Sequence, residues 1–93
     1  MSYTLIFTES YLKQAKRFAR RHPELKELYR KTLSLLAHDP YHPSLRLHPL
    51  KGKLAMLHSV SINISYRITL ELLIVKKEII LINVGSHDDV YQK

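Results

Sequence analysis

The chain has 93 residues, no cysteine and a formal net charge of +7. This length is enough for a single domain over residues 1–93 and leaves no room for a second. The lack of cysteine excludes disulfide bonds and thiolate chemistry, and the longest apolar runs are too short to cross a membrane. The first residues lack the basic and apolar regions of a signal peptide, so we expect a cytoplasmic protein. The positive charge favours polyanionic partners such as nucleic acid.

The first part of the chain predicts one strand followed by two helices. Residues 3–7 are apolar and β-prone, and Thr8 is a suitable helix N-cap. Residues 9–21 predict an amphipathic helix with one basic face. A second helix should begin with Pro23 as its first residue and end at Asp39, because the residue before a proline is disfavoured in a helix. The apolar stripe of the first helix consists of Tyr11, Leu12, Ala15, Phe18 and Ala19.

A proline-rich stretch and three strands follow the helices. Residues 40–53 contain three prolines and predict one long irregular loop. Apolar and polar side chains alternate along residues 59–64 and again along 66–72, which predicts two strands buried on one face. Residues 79–84 are apolar except for Asn83 and predict a buried last strand, ended by Gly85.

The end of the chain carries the spacing of a helix start. Ser86 is followed three residues later by Asp89, as in a capping box, which predicts a short C-terminal turn or helix. This segment brings His87 and Tyr91 directly after a buried strand. It therefore suggests a functional site at the edge of the sheet.

The order of these elements predicts an α+β fold. The helices should form an antiparallel hairpin, and the last three strands an antiparallel meander that completes a sheet with the N-terminal strand. The hairpin should cover one face of this sheet and supply the core. The other face should display polar side chains, namely Ser59, Ser61, Arg67, Thr69 and Asn83.

Six histidines raise the hypothesis of a metal site. Metal-binding histidines usually come at recognisable spacings and with carboxylate or cysteine ligands nearby. His38, His42 and His48 are spread through a proline-rich stretch without such a spacing. We therefore expect neither a metal site nor a cofactor.

Another set of side chains suits the cleavage of RNA without a metal: His48, Lys51, Lys53, Arg67, His87 and Tyr91. Two imidazoles near neutral pKa can act as base towards a 2′-hydroxyl and as acid towards a leaving 5′-oxygen. Arginine and lysine stabilise the charge that develops on the phosphate, and an aromatic ring stacks on an unpaired base. The spacing alone leaves open whether these groups converge.

Ordinary structural roles are the alternatives for the same side chains. Arg67 can instead pair with Glu71 on the same strand face, and Tyr91 can simply close the core. A solvated surface and an RNA-docking surface are both open for the basic helix residues Lys13, Arg17 and Arg20.

Three segments resemble the RelE/ParE superfamily of bacterial type II toxins, and its YafQ/YoeB-like branch most closely. They are residues 45–52 (LRLHPLKG), 65–68 (SYRI) and 83–91 (NVGSHDDVY). The resemblance extends over essentially the whole chain, and its most specific part is the closing glycine–serine–histidine pattern. It implies a RelE-like fold and an mRNA interferase that acts at the ribosome. It also implies a cognate antitoxin partner, contact with DNA only through the antitoxin complex, and no membrane partner.

The resemblance implies a role for each matching residue. His48 matches a loop residue that serves as acid or base, and His87 matches the C-terminal catalytic histidine. Arg67 matches the phosphate-binding arginine of YoeB-like members, with Lys51 or Lys53 assisting it. We favour His87 as the acid and His48 as the base, with the reverse assignment open.

The chain also departs from the YafQ-like pattern. Ser61 and Ser65 stand where YafQ-like members have histidine and aspartate, while Tyr91 falls at their aromatic position. The division of catalytic roles and the cleavage rate are therefore open. Two other functions compete with the nuclease: a gyrase-directed, ParE-like toxin, and a weakened relative that acts by binding an antitoxin and DNA. The presence of both His48 and His87 argues against the first.

Overall fold

The computed structural model describes residues 2–52 and 56–86, which form helices, strands and two 3₁₀ turns. In chain order these elements are β1 (Thr4–Phe7), α1 (Glu9–Arg21), a 3₁₀ turn at Pro23–Leu25, α2 (Lys26–His38), a second 3₁₀ turn at Pro43–Leu45, β2 (His48–Pro49), β3 (His58–Ser61), β4 (Tyr66–Leu73) and β5 (Glu78–Ser86). The predicted α+β fold is confirmed.

The strands form one five-stranded sheet in the order β1-β5-β4-β3-β2. The last three strands make the predicted antiparallel meander, and β1 lies parallel to β5 at one edge. At the other edge, the short strand β2 pairs antiparallel with β3. The sheet is therefore mixed, and β5 lies between the first strand of the chain and the meander.

Helix α1 is tied to the sheet at its first residue. The Thr8 hydroxyl accepts a hydrogen bond from the Tyr11 amide at 3.2 Å, which caps the helix as predicted. The same hydroxyl donates to the Leu81 carbonyl on β5 at 3.0 Å. One side chain thus fixes both the start of α1 and its position on the sheet.

The second helix begins later than the sequence predicts. Pro23 starts a 3₁₀ turn, in which the Leu25 amide donates to the His22 carbonyl at 2.9 Å, and α2 begins only at Lys26. The tighter 3₁₀ hydrogen bond lets the chain reverse direction between the helices without a separate loop. The helix ends as predicted, because Asp39 is extended before Pro40.

The core lies between the helices and one face of the sheet, and the hydrophobic stripe of α1 is narrower than predicted. Tyr11 and Phe18, seven residues apart, are buried. Leu12 and Ala19 are exposed, because each lies about 100° further around the helix than its buried neighbour. The core also includes fully buried side chains from α2 and the strands, namely Leu36, Val60, Ile68, Leu70, Ile79 and Leu81.

Strand β3 is shorter than the alternating pattern predicts. It ends at Ser61, and Ile64 is 92% exposed rather than buried. The cause is the Asn63 side chain, whose oxygen accepts hydrogen bonds from the amides of Ser65 and Tyr66, both at 2.9 Å. Such a side-chain-to-backbone contact favours a turn over further strand.

Strand β5 is longer than predicted, because β4 provides partners beyond the apolar run. Gly85 pairs with Arg67 and Ser86 pairs with Tyr66, so Gly85 does not end the strand. The prediction of one irregular loop over residues 40–53 is also wrong in part, since this segment contains the second 3₁₀ turn and β2. The C-terminal turn or helix predicted after Ser86 lies outside the described residues.

None of the helices in the described part of the chain has the length and apolar character needed to span a membrane.

Candidate active site

The sheet face opposite the helices carries two rows of side chains that run across the strands. We call it the open face. Residues that pair directly across strands, and residues two apart along a strand, share a face. One row consists of His48, Ser59, Thr69 and Asn83. The next row consists of Ser61, Arg67 and Gly85. The fold thus places His48 and Arg67 on the same face.

The backbone fixes the tautomer of His48. Its Nδ1 lies 2.9 Å from the Arg46 carbonyl oxygen. A carbonyl only accepts hydrogen bonds, so Nδ1 carries the hydrogen, and in the neutral ring Nε2 holds the lone pair. In this tautomer, Nε2 is the ring nitrogen at which His48 accepts a proton.

Arg46 presents its carbonyl to His48 from an unusual backbone conformation. It has φ 53° and ψ 48°, in the left-handed region that residues other than glycine rarely adopt. The 3₁₀ turn before it sets this conformation, and its amide donates to the Pro43 carbonyl at 3.2 Å. Local strain of this kind is often found at functional sites.

Arg67 is held by the adjacent strand. Its Nη1 donates a hydrogen bond to the Ser61 hydroxyl at 2.9 Å, and the side chain is half-buried. Its Nε is buried and has no hydrogen-bond partner among the described residues. Because Nε is buried, the donors left for an anion are the N–H groups of the two terminal nitrogens that Ser61 does not use.

The predicted alternative for Arg67, a pair with Glu71, is wrong. Within residues 2–52 and 56–86, the ion pairs are His22 with Glu24 and Arg30 with Glu27. Arg67 and Glu71 are four residues apart on β4, which separates their Cα atoms by about 13 Å. Their side chains lie along the same face without meeting.

A second arginine joins Arg67 at the end of the open face. Arg46 and Arg67 line a common cavity of about 280 Å³, together with the polar side chains of Ser44, Ser61 and Asn63. Two guanidinium groups around one cavity suit a phosphate. Arg46 is not among the site residues predicted from the sequence, because its position depends on the left-handed turn and not on a periodic pattern.

The open face is less exposed than predicted at its centre. Ser59 is 0% exposed and Thr69 is 4% exposed, and neither hydroxyl has a hydrogen-bond partner among the described residues. Both side chains are short, and the longer side chains of His48 and Arg67 lie beside them in the rows. The expectation that Ser59 and Thr69 are displayed to solvent is therefore wrong.

The spacing between His48 and Arg67 suits one nucleotide. The two residues are two strands and two positions apart, so sheet geometry separates their Cα atoms by about 12 Å. Arg67 Nη1 contacts Ser61 on β3, so the guanidinium lies on the side of β4 that faces β3 and β2. A phosphate held by Arg67 would leave the attached sugar facing His48.

The other predicted site residues fall into three groups. Lys51 is exposed two residues after the end of β2. The exposed residues Lys13, Arg17 and Arg20 lie on α1, away from the open face. Lys53, His87 and Tyr91 lie outside the described residues. In the part of the chain that is described, no three histidine, aspartate or glutamate side chains group as metal ligands.

Comparison with known proteins gives matches at the level of structure only. No protein-family model matches the chain, and no curated protein matches its sequence. YafQ from E. coli strain BL21(DE3) superimposes with a TM-score of 0.78 at 13% identity, over 96% of this chain and 98% of YafQ. A YoeB/ParE toxin from Agrobacterium tumefaciens gives 0.72 at 19% identity, over 90% of this chain and 98% of that toxin.

A third match comes from a toxin–antitoxin complex, RelBE2 of Mycobacterium tuberculosis. It gives a TM-score of 0.73 at 18% identity, over 94% of this chain and 100% of the matched one. Identities this low show a shared fold and do not transfer an activity. The chain therefore has the RelE-like fold that the resemblance of its motifs predicts.

Proposed function

We propose that this protein is the toxin of a type II toxin–antitoxin pair and cleaves mRNA on the ribosome. The observation that carries the proposal is the placement of His48 and Arg67 on one face, each held by a hydrogen bond. The fold shared with YafQ, YoeB and RelE toxins supports it. The net charge of +7 suits a nucleic-acid substrate.

His48 is the proposed general base. Its Nε2 takes the proton of a 2′-hydroxyl, and the 2′-oxygen then attacks the adjacent phosphorus. A bond forms between the 2′-oxygen and phosphorus, and the bond from phosphorus to the 5′-oxygen breaks. The products are a 2′,3′-cyclic phosphate and a 5′-hydroxyl.

Arg67 is the proposed phosphate-binding residue, with Arg46 on the other side of the cavity. Negative charge builds on the non-bridging oxygens as the 2′-oxygen attacks. Guanidinium groups positioned before the reaction stabilise that charge without reorganising. Lys51, and Lys53 as a prediction from the sequence, add positive charge beside the same strand.

His87 stays the proposed general acid, which gives a proton to the leaving 5′-oxygen. This role rests on the sequence pattern, since the residue lies outside the described part of the chain. Tyr91 stays a proposed stacking residue on the same ground. We further propose a cognate antitoxin as the partner, by analogy with the RelBE2 complex.

The experiment is a cell-free translation assay with mapping of mRNA ends by primer extension. The wild-type protein should stop translation and leave new 5′ ends within the translated message. His48→Ala and His87→Ala should each abolish the new ends. His38→Ala is the matched control, because His38 is an exposed histidine at the end of α2 and outside the site.

The same assay separates the competing functions. Intact message in this assay, together with growth arrest in cells and inhibition of purified gyrase, would assign the chain to the ParE-like function. Protein-free RNA should be cut poorly at physiological salt, because the ribosome is expected to position the message for attack. Rapid cutting of protein-free RNA would contradict the ribosome dependence.

A further inference from the structure

A second cleft lies on the helix side of the sheet, between α1 and the end of β5. It has a volume of about 270 Å³ and is lined by Arg17, Arg21, His22 and Tyr66, with Gly85 and Ser86 at the end of the strand. The function proposed above uses none of these four side chains, although Arg17 belongs to the basic helix face that the sequence leaves open as a solvated or an RNA-docking surface. Tyr66 and His22 belong to no site predicted from the sequence.

Aromatic rings form one wall of this cleft. The His22 ring lies 4.5 Å from the Tyr66 ring and 5.1 Å from the Phe18 ring, centroid to centroid. Phe18 is buried below them, whereas the His22 side chain keeps 24% of its surface exposed. The packed rings hold His22 in place and leave part of it for a flat ligand to stack on.

Two guanidinium groups form the rim. Arg17 and Arg21 are one helical turn apart on α1, both exposed, and neither has an acidic partner within 4.0 Å among the described residues. One carboxylate is nearby, since Glu24 Oε2 lies 3.4 Å from His22 Nδ1. It faces His22 and forms no ion pair with either arginine in the described part of the chain, so the rim formed by the two arginines attracts anions.

The cleft adjoins the candidate active site around the end of the sheet. Tyr66 and Arg67 are consecutive residues of β4, so their side chains point to opposite faces. Tyr66 pairs with Ser86 and lines the cleft, while Arg67 pairs with Gly85 on the open face. A strand of RNA bound at Arg67 needs only to pass this end of the sheet to reach the cleft.

We propose that this cleft binds a nucleotide of single-stranded RNA that flanks the cleaved bond. Arg17 and Arg21 hold its phosphate, and its base stacks on His22 beside Tyr66. The inference rests on the proposed RNA-cleaving function and extends the substrate contact beyond the open face. An acidic peptide is a weaker fit, because its carboxylates would use the arginines and leave the aromatic wall without a role.

The test measures binding of an eight-nucleotide single-stranded RNA by fluorescence anisotropy. Every 2′-hydroxyl is methylated, which blocks the attacking oxygen, so binding is measured without cleavage. Arg17→Gln with Arg21→Gln should weaken binding about tenfold. The slope of log K against log salt should fall by about 0.7, the value for one lost phosphate contact on a single strand.

The matched control removes two positive charges elsewhere. Lys31→Gln with Lys76→Gln lowers the net charge equally at exposed positions of α2 and of the β4–β5 turn. It should weaken binding less than twofold. Both double variants should melt within about 2 °C of wild type, because none of the four side chains is buried.

The stacking contact has its own readout in the NMR signals of the His22 ring. These signals should shift when the RNA is added, and the shift should be much smaller with an abasic oligonucleotide of equal length. Equal shifts with both would overturn the stacking. Equal weakening by the two double variants would overturn the cleft as a site, because only net charge would then matter.

Two further outcomes distinguish RNA binding in the cleft from the binding of a protein partner there and from the proposed nuclease function. If a poly-glutamate peptide binds through Arg17 and Arg21 while RNA binding ignores them, the cleft belongs to a protein partner and the inference is overturned. If RNA binds in the cleft but no message is ever cut, the inference stands and the nuclease function fails. If the message is cut normally but no RNA binds in the cleft, the nuclease function stands and the inference is overturned.

Discussion

Arg67 is positioned by one hydrogen bond from its Nη1 to the Ser61 hydroxyl. Ser61 stands where YafQ-like proteins are expected to have a histidine. The contact with Arg67 suggests a role for the serine at this position. A serine at this position does not exchange protons at neutral pH, but it orients the arginine. The structure thus supports a positioning role for Ser61 in the proposed reaction.

Arg67→Ala should lower the rate of mRNA cleavage by about 10- to 150-fold, with little change in melting temperature. The range corresponds to a charge-assisted contact of roughly 1.5–3 kcal/mol made in the transition state. Arg67→Lys should restore only part of the rate, because an ammonium group cannot make the two-pronged contact. Cleavage rate and melting temperature are measured on the same samples.

Ser61→Ala is measured alongside Arg67→Ala and Arg67→Lys to test the positioning hydrogen bond. It removes the positioning hydrogen bond and keeps the charge, so its rate should fall between those of wild type and Arg67→Ala. A wild-type rate for Arg67→Ala would remove Arg67 from the proposed site. A rate for Ser61→Ala equal to wild type would show that the arginine needs no support.

Single residues differ in how far the sequence predicts them. Arg67 was predicted to point away from the core because Tyr66 and Ile68 alternate with it, and the register confirms this. Arg46 was missed because its place depends on a left-handed backbone turn. The burial of Ser59 was missed too. Alternation indicates the sheet face on which a residue lies, but not how far the neighbouring side chains extend from that face.

The two helices are joined through a pair of tyrosines. The Tyr11 hydroxyl on α1 lies 2.6 Å from the Tyr29 hydroxyl on α2. Tyr11 is fully buried, whereas Tyr29 is partly exposed. The Phe18 ring of α1 packs against the Tyr29 ring of α2 at a centroid distance of 5.7 Å. The two helices are therefore joined by an aromatic contact as well as by the hydroxyl pair.

Tyr29→Phe should lower the free energy of unfolding by about 1–3 kcal/mol, because it leaves the buried Tyr11 hydroxyl without its partner. Tyr11→Phe should cost less, since the Tyr29 hydroxyl can turn to water. The double variant should be more stable than the sum of the single losses predicts. Urea unfolding of all four proteins measures this coupling, and strictly additive losses would show that the hydroxyls do not interact.

At the level of elements, periodicity predicted the helices and the three late strands, whereas their ends depended on contacts it does not contain. Asn63 stops β3 with its side chain, and β4 extends β5 by pairing. The two-residue strand β2 exists only because β3 lies beside it. Short elements of this kind are set by tertiary partners rather than by local pattern.

The molecule as a whole shows why the family resemblance predicted the fold where composition predicted only its class. Identities of 13–19% to the solved toxins coexist with TM-scores of 0.72–0.78. The core positions follow general hydrophobic patterns that many sequences satisfy. The histidine, arginine and glycine–serine–histidine segments were specific enough to indicate one arrangement of those elements.

At alkaline pH, the free energy of unfolding of the whole molecule should depend on the ionisation of Tyr11. Burial raises the pKa of Tyr11 well above its ordinary value near 10, and the neighbouring Tyr29 raises it further. Burial also raises the pKa of Tyr29. In the unfolded chain, Tyr11 releases its proton near pH 10, while in the folded protein it keeps it. Above that pH the folded state therefore binds more protons, and stability falls as the pH rises.

The expected result is a steeper alkaline loss of stability for wild type than for Tyr11→Phe. The stabilisation that depends on the protonated tyrosine is complete below about pH 10 and is lost above it. The Tyr11 contribution is about 1.4 kcal/mol per pH unit. Urea unfolding at pH 8, 10 and 11 measures it, and lysine deprotonation affects both proteins equally. The two curves should run parallel up to pH 10 and then converge, because wild type loses more stability per pH unit. Parallel curves up to pH 11 would show that Tyr11 ionises in the folded protein as it does in the unfolded chain, and would contradict its burial in the core between the helices and the sheet.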